Sequence, residues 1–373
     1  MRKDNIIPKI RKKRKKRQAQ SVQLLQKNRG PVSLNKSPAS WKASTILFLS
    51  CLVTLILVIP TLIVVPFMSN ADDEGKVVEK SGEDVEIAMG DSPFAVEVMR
   101  ANSEQVEKVP LETYVSRVVA SETPAEFDVE ALKAQALAAR TFIVNRLLHQ
   151  GNADNPDVTD TTSDQVYHNE QELRKTMGSD YDEEMTKIKK AVTATKGDIL
   201  TYKNNPITAA YFSTSNGYTE NSEDYWENKV PYLRSVKSPW DKDTQKFMDQ
   251  KVLTINEMEE SLGTDLPSLD QLSMEITRTE GQRVDRLKIG EKSYSGRKIR
   301  EELGLRSSDF SIEKKNDHLI FTTKGFGHGI GMSQFGANGM AKEGKTYKEI
   351  VKHYYQGVEI SSVSDIAPKL VAK

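Results

Sequence analysis

Between residues 110 and 150 apolar positions recur at helical spacing. Leu111, Val115, Val118 and Val119 fall on one side of a first helix. Val129, Leu132, Ala136, Ile143 and Leu147 form a stripe along a second. Pro110 suits the first turn of the former, and Pro124 is expected to stop it at Glu122-Thr123, because proline disfavours helix at the residue before it. Asp128 is the expected N-cap of the latter, which runs to Gly151. Upstream, "PFAVEVMR" alternates as a strand, Asn102-Ser103 reads as a turn and "QVEKV" as its partner strand. Residues 151–170 read as irregular. "YDEEMTKIKKAVTATKG" then reads as a helix with Gly197 past its end, followed by the strands "DILTY" and "PITAAYF" about a "KNN" turn. Residues 250–320 mix the helices "TINEMEESLG" and "GRKIREELG" with the strands "SMEITR", "VDRLKI" and "HLIFTT". The expected class is α+β, one domain over 91–360 with 245–315 as a subdomain and 361–373 as a tail.

The pattern changes abruptly toward the N-terminus. Residues 46–68, "ILFLSCLVTLILVIPTLIVVPFM", carry no charge. As a helix they would span about 35 Å, against about 30 Å for a bilayer's hydrocarbon core. The expected organisation is therefore a basic cytosolic tail (1–43), a single-pass anchor (44–68) and an acidic linker (69–90). An uncleaved anchor fits better than a signal peptide, whose apolar region is shorter. The formal net charge of zero hides an asymmetry: residues 1–43 hold fourteen Lys or Arg against one acid, so the remainder is acidic by the same margin. The positive-inside rule keeps the tail in the cytosol and sends the C-terminal part out, without any need for a nucleic-acid partner. Cys51, the only cysteine, lies in the span, so the exported part has neither a disulfide nor a thiolate.

Several motifs invite chemistry. "GFGHGIGMSQFGANGMA", residues 325–341, holds six glycines. "GMAKEGKT", residues 339–346, fits a phosphate-binding loop in letters, but it follows no strand and overlaps a helical stretch that Gly344 should end. The histidines lack a zinc spacing, and His328 reads better as a hydrogen-bonding group than as a ligand. Glu122 closes a helix, where the dipole opposes a carboxylate; with Pro124 and Phe127 nearby, partial burial would raise its pKa as a general acid requires. From spacing alone, an exposed helix-end glutamate is the better reading. Arg140, on a largely apolar helix, is either buried with a carboxylate or extends its head to water. "AAYFSTSNGYTENSEDYW" packs hydroxyls and amides beside Tyr211, Tyr218, Tyr225 and Trp226, a composition suited to sugars, though on composition alone a hairpin loop is the better reading.

In order along the chain, "VPLETYVSRVVASETP", "ALKAQALAARTF", "DTTSDQVY", "FSTSNGYTENSEDYW", "PYLRSVKSPWD" and "GHGIGMSQFGANGMA" resemble the stage II sporulation protein D family. The resemblance implies a membrane-anchored lytic transglycosylase that cuts peptidoglycan glycan strands during engulfment of the forespore, with Glu122 catalytic. It implies cleavage between N-acetylmuramic acid and N-acetylglucosamine and a 1,6-anhydro product, without a cofactor. Some members bind zinc through a C-D-T-x-H-C stretch; here Thr159, Ser163 and Asp164 stand at the ligand positions, so no metal is expected. Arg140 and Lys237 are then candidate cations for positioning the glutamate or the substrate, and Gln165, Ser215, His328 and Gln334 candidate sugar contacts. The glycine segment becomes a packed turn lining the cleft. Implied partners are peptide-stripped glycan and stage II sporulation proteins P and M, at the mother cell's septal membrane. The alternatives are a muramidase using Asp160, Glu220 or Asp224 as second carboxylate, and a non-catalytic glycan-binding enhancer of an amidase.

Overall fold

The computed structural model describes residues 92–150, 155–268 and 271–371. The expected basic tail, anchor and linker all lie outside these residues, and among the described residues no helix is long and apolar enough to cross a membrane.

The described chain is α+β, as its patterning predicts, and is built on two cores. β1 (Ala95–Arg100) and β2 (Gln105–Pro110) form the expected antiparallel hairpin, with Ala95 opposite Pro110 and Arg100 opposite Gln105. α1 (Leu111–Glu122) follows at once and ends where Thr123 turns to extended geometry before Pro124. α2 (Val129–Gln150) begins with the Asp128 carboxylate accepting the Glu130 amide at 2.9 Å. It is less one-sided than the stripe suggested: Val129 is exposed, whereas Ala131, Ala134, Leu137, Ala138 and Ala139 are buried along with Leu132, Ala136 and Ile143. Alanines let neighbours close on several sides, so α2 forms the axis of the first core. β3 (Val158–Thr159) pairs in parallel with β1. α3 (Glu170–Met177), capped by a reciprocal Asn169–Glu172 pair, was not foreseen. α4 (Tyr181–Thr193) packs on α1 and α2.

β4 (Asp198–Tyr202) turns through Lys203 and Asn204, both at positive φ, into β5 (Asn205–Pro206). The expected long strand after this turn is broken. Only β6 (Tyr211–Phe212) reforms, and it pairs with a distant segment of the chain.

The second core is assembled from β7 (Met248–Thr254), α5 (Ile255–Leu262), β8 (Met274–Arg278), β9 (Val284–Ile289), β10 (Lys292–Ser295) and α6 (Gly296–Glu302), then β11 (Phe310–Lys315) and β12 (His318–Lys324). Two three-stranded sheets, ordered β10-β9-β8 and β11-β12-β7, bury Met258, Leu287, Ile299, Phe310, Leu319 and Phe321 between them and the helices.

The chain then returns to the first core. β13 (Met332–Ser333) lies parallel to β6, with Met332 opposite Tyr211 and Ser333 opposite Phe212. α7 (Gln334–Lys342) begins with Ser333 Oγ accepting the Gly336 amide at 3.2 Å. Gly344, at φ +85°, ends this stretch, and Thr346 caps α8 (Tyr347–Tyr354). The phosphate-loop letters thus fall on the expected helix end and then on a capping box that was not foreseen. β14 (Glu359–Ser362) completes the β14-β4-β5 sheet.

Candidate active site

Glu122 is the last residue of α1, at the helix end where backbone dipoles oppose a negative charge. Its carboxyl is half-buried and lines a cleft of about 860 Å³. Burial pushes its pKa up; hydrogen bonds from the Val166 amide, the Tyr211 hydroxyl and the Gln334 side chain pull partly the other way. The net shift is upward. The Val166 bond to Oε1 measures 2.9 Å. Gln334 Nε2, nearly buried, completes no well-formed hydrogen bond, so its pull on the carboxyl is the weakest of the three.

Behind the carboxyl lies a chain of donors with one polarity. Tyr114 donates its hydroxyl to Gln165 Oε1 at 3.1 Å, and Gln165 Nε2 donates to the Tyr211 hydroxyl at 3.0 Å. Tyr211 is thereby left to donate its own proton toward Glu122. Burial raises the pKa of both tyrosines, which keeps them protonated. The pairing of β6 with β13 holds Tyr211 here, beside the start of α7 that carries Gln334.

The glycine segment supports this floor. Gly325, Gly327, Gly329 and Gly331 all take positive φ. At Gly331 a Cβ would overlap the Ala210 carbonyl, one residue before Tyr211, and at Gly329 it would overlap the Arg283 guanidinium. His328 accepts the Ile330 amide on Nδ1 at 2.9 Å and must therefore donate from Nε2 to the Tyr211 carbonyl at 3.0 Å. Burial, with the Arg300 charge nearby, lowers its pKa to about 4. His328 is a neutral brace for the Tyr211 backbone with both nitrogens engaged.

Of the seven candidate catalytic and sugar-contact residues, four meet in the cleft: Glu122, Gln165, His328 and Gln334. Three do not. Arg140 is fully buried against Glu112, its Nη2 2.6 Å from Oε2, and also donates to the Asp198 carbonyl at 3.1 Å. It ties α1, α2 and β4 together far inside the first core and reaches no substrate space. Ser215 is also fully buried, donating to Asp241 Oδ2 at 2.7 Å in a knot with Ser238 and Ser333. Lys237 is exposed and outside the cleft; its carbonyl meets His353 Nε2 at 2.8 Å.

The second carboxylates considered for a muramidase also lie elsewhere. Asp160 pairs with Arg100 at 3.2 Å, Glu220 is buried 3.6 Å from Arg283, and neither they nor Asp224 line the cleft. At the positions aligned with zinc ligands, Thr159 donates from both its amide and its hydroxyl to Asp164 Oδ2 at 2.8 Å, and Arg146 pairs with Oδ1 at 2.6 Å.

Sequence reasoning missed what the second core brings. Arg297 and Arg300, from α6, line the wall, and Lys246 joins them from the loop before β7. Their codes carry no local signal, since only the packing of α6 beside Tyr225 turns them toward the cleft. Tyr211 was legible as an aromatic for stacking, but not as the hydroxyl beside Glu122.

Comparison with known proteins bears on the family. The family model described as SpoIID, stage II sporulation protein, matches residues 99–202, which include Glu122, Gln165 and Val166. Stage II sporulation protein D of Bacillus amyloliquefaciens is 47% identical over 340 residues, 88% of this chain and 98% of that protein. Its namesake from Bacillus subtilis (strain 168) is 47% identical over 335 residues, 87% and 98% of the two chains. A Bacillus subtilis protein named amidase enhancer is 30% identical over 300 residues, 66% of this chain but 40% of that protein. Identity at this level over most of both chains settles the kinship: the protein belongs to the stage II sporulation protein D family.

Proposed function

We propose that the protein is a lytic transglycosylase acting on peptidoglycan glycan strands, with Glu122 as acid and then base. The observation that carries this reading is one carboxyl of raised pKa in a cleft of disaccharide size, with the other cleft carboxylates held in ion pairs. Hydrolytic glycosidases normally flank the bond with two working carboxyls.

One carboxyl suffices if the substrate supplies the nucleophile. Protonated Glu122 gives its proton to the oxygen between N-acetylmuramic acid and N-acetylglucosamine as the C1–O bond breaks. The resulting carboxylate takes the proton of the muramic acid's 6-hydroxyl, whose oxygen bonds to C1 and closes a 1,6-anhydro ring. Glu122 ends protonated and no water is consumed. A raised pKa serves the first half, and the Val166, Tyr211 and Gln334 donors stabilise the carboxylate between the halves.

The same reading places the chain on the outer face of a membrane, held by residues 44–68, working with stage II sporulation proteins P and M. A second reading, a glycan-binding module that stimulates an amidase, draws on the relative named amidase enhancer. Purified chain with isolated glycan and no partner separates the two. Fragments ending in anhydromuramic acid, lighter than hydrolysis products by one water, support the transglycosylase. Retention of glycan without cleavage supports the module, and reducing ends supports a hydrolase.

A further inference from the structure

Between β3 and α3 the chain has no strand ladder of its own, yet its last five residues before Asn169 each make a specific contact. Asp164 accepts the Thr159 amide and hydroxyl on Oδ2, both at 2.8 Å, and pairs through Oδ1 with Arg146 of α2 at 2.6 Å. Gln165 links the Tyr114 and Tyr211 hydroxyls, and the Val166 amide donates to Glu122. Tyr167 stacks on Tyr114, ring centres 5.6 Å apart. The His168 amide donates to Ser121 Oγ at 3.1 Å. Ser121 gives its only hydroxyl proton to the Arg117 carbonyl at 2.7 Å, so His168 Nδ1, 3.0 Å from the same oxygen, carries a proton and donates too. The segment is held at both ends, and the two residues that serve the Glu122 carboxyl lie between.

The two anchors differ. His168 is tied to the residue before Glu122 and so follows α1. Asp164 is tied to α2, whose Arg146 also donates from Nε to the Asp157 carbonyl at 2.7 Å. One planar guanidinium thus grips the loop at two points seven residues apart. The Asp164 side chain is 4% exposed and both its oxygens accept from these donors, so its place in the cleft wall is one of support. Its charge does not act on Glu122 directly. Burial and three hydrogen bonds are the influences on that carboxyl, and no charged group of the cleft figures among them, neither Asp164 nor Lys246, Arg297, Arg300 or Glu301.

We propose that Asp164 is a positioning residue for Glu122: clamped by Arg146 and Thr159, it fixes the loop that sets the Val166 amide against the Glu122 carboxyl and Gln165 against Tyr211. The proposal rests on Glu122 as acid and base of the glycan-cleaving reading and adds what keeps its donors in place. Those donors favour the carboxylate over the protonated acid. Breaking the Arg146–Asp164 pair frees residues 164–166 on the α2 side, so the carboxylate loses support that the neutral acid never needed.

The sign of one shift tests this. Asp164→Asn keeps the shape of the side chain and removes a negative charge. Acting through its field, that change would lower the Glu122 pKa. Acting through the loop, it raises the pKa by about 0.5–1 pH unit, the effect of one hydrogen bond. Infrared difference titration of the full chain, referenced to Glu122→Gln, reads the shift with no glycan present. Arg146→Gln breaks the same pair from its half-buried side and should give a similar rise. The double variant should rise no further than either single one, because both remove one contact. In glycan cleavage the alkaline limb of kcat/KM should move up with the pKa, and kcat should fall about three- to tenfold with KM within about twofold. A Glu122 pKa lowered or unchanged in folded Asp164→Asn overturns the proposal, and where that variant does not fold, an unchanged value in Arg146→Gln does so. Additive shifts in the double variant, or a raised KM with native kcat, overturn it too. If the native chain cuts no glycan, the transglycosylase reading fails instead, and the titration alone still decides whether Asp164 positions Glu122.

Discussion

Glu122 and Val166 meet across 44 residues of chain, the Val166 amide donating to Glu122 Oε1 at 2.9 Å. That bond joins the end of α1 to the loop after β3, so the carboxyl is held from outside its own helix. Its geometry shows the compromise at the site: a charge made unwelcome by burial, with a donor in place for the moment it appears.

The first prediction concerns stability. A folded pKa above the ordinary glutamate value of 4.5 means that the native state binds the proton more tightly than the unfolded chain does. The group's favourable contribution is complete below 4.5 and is lost as pH rises through the folded value. Glu122→Gln fixes the neutral form. Its Tm should match that of the native chain in acid below 4.5 and exceed it at neutral pH. A Tm difference that does not grow with pH would count against a raised pKa.

Tyr211→Phe removes a donor that lowers the Glu122 pKa and orphans the Gln165 amide. The alkaline limb of the kcat/KM profile should therefore move to higher pH. The maximum rate should fall roughly tenfold, the effect of about 1.4 kcal/mol on a barrier. A pH–rate profile superimposable on the native one would exclude Tyr211 from the proton path.

Arg140 carries a different expectation from a substrate contact. Arg140→Ala leaves Glu112 charged and buried, a loss of roughly 3–5 kcal/mol. Replacing both by apolar residues of similar volume should restore much of the stability. Thermal melts check this, and the kcat and KM of the folded fraction should remain native. A raised KM with an unchanged Tm would return Arg140 to the list of substrate contacts.

The glycine segment provides an internal control. Gly331 and Gly344 both have positive φ, but a Cβ at Gly331 meets the Ala210 carbonyl, whereas nothing lies within 4 Å at Gly344. Gly344→Ala should show only backbone strain, about 1–3 kcal/mol. Gly331→Ala should lose more and displace β6, so that activity falls with stability. Equal losses in the two melts would contradict the close approach of the segment to Ala210.

How much of this was legible in the sequence follows from which signals are local. The stop at Pro124, the Asp128 cap, the "TINEMEESLG" and "GRKIREELG" helices and the Gly344 terminus depend on a few neighbouring residues, and each appears where expected. Glu122 was legible as a helix-end carboxylate, and the family resemblance, not its spacing, singled it out. Arg140 was read toward the substrate because its partner Glu112 lies 28 residues earlier, and periodicity reports that a side chain is buried without saying against what. Ser215 sat in a run rich in sugar-binding residue types, yet its hydroxyl serves Asp241, 26 residues away. The breaking of "PITAAYF" had a similar cause: β6 pairs with β13 across 121 residues, and that pairing decides where the strand exists.

The central claim is that a single carboxyl, held un-ionised, gives and regains one proton on the glycan. The most direct measurement is the pKa of the Glu122 carboxyl in the folded chain, taken by infrared difference titration against Glu122→Gln, beside the pH dependence of glycan cleavage. The account predicts a value above 4.5 that coincides with the alkaline limb of kcat/KM, and no anhydro product from Glu122→Gln. A value at or below 4.5, or native turnover by Glu122→Gln, would contradict it.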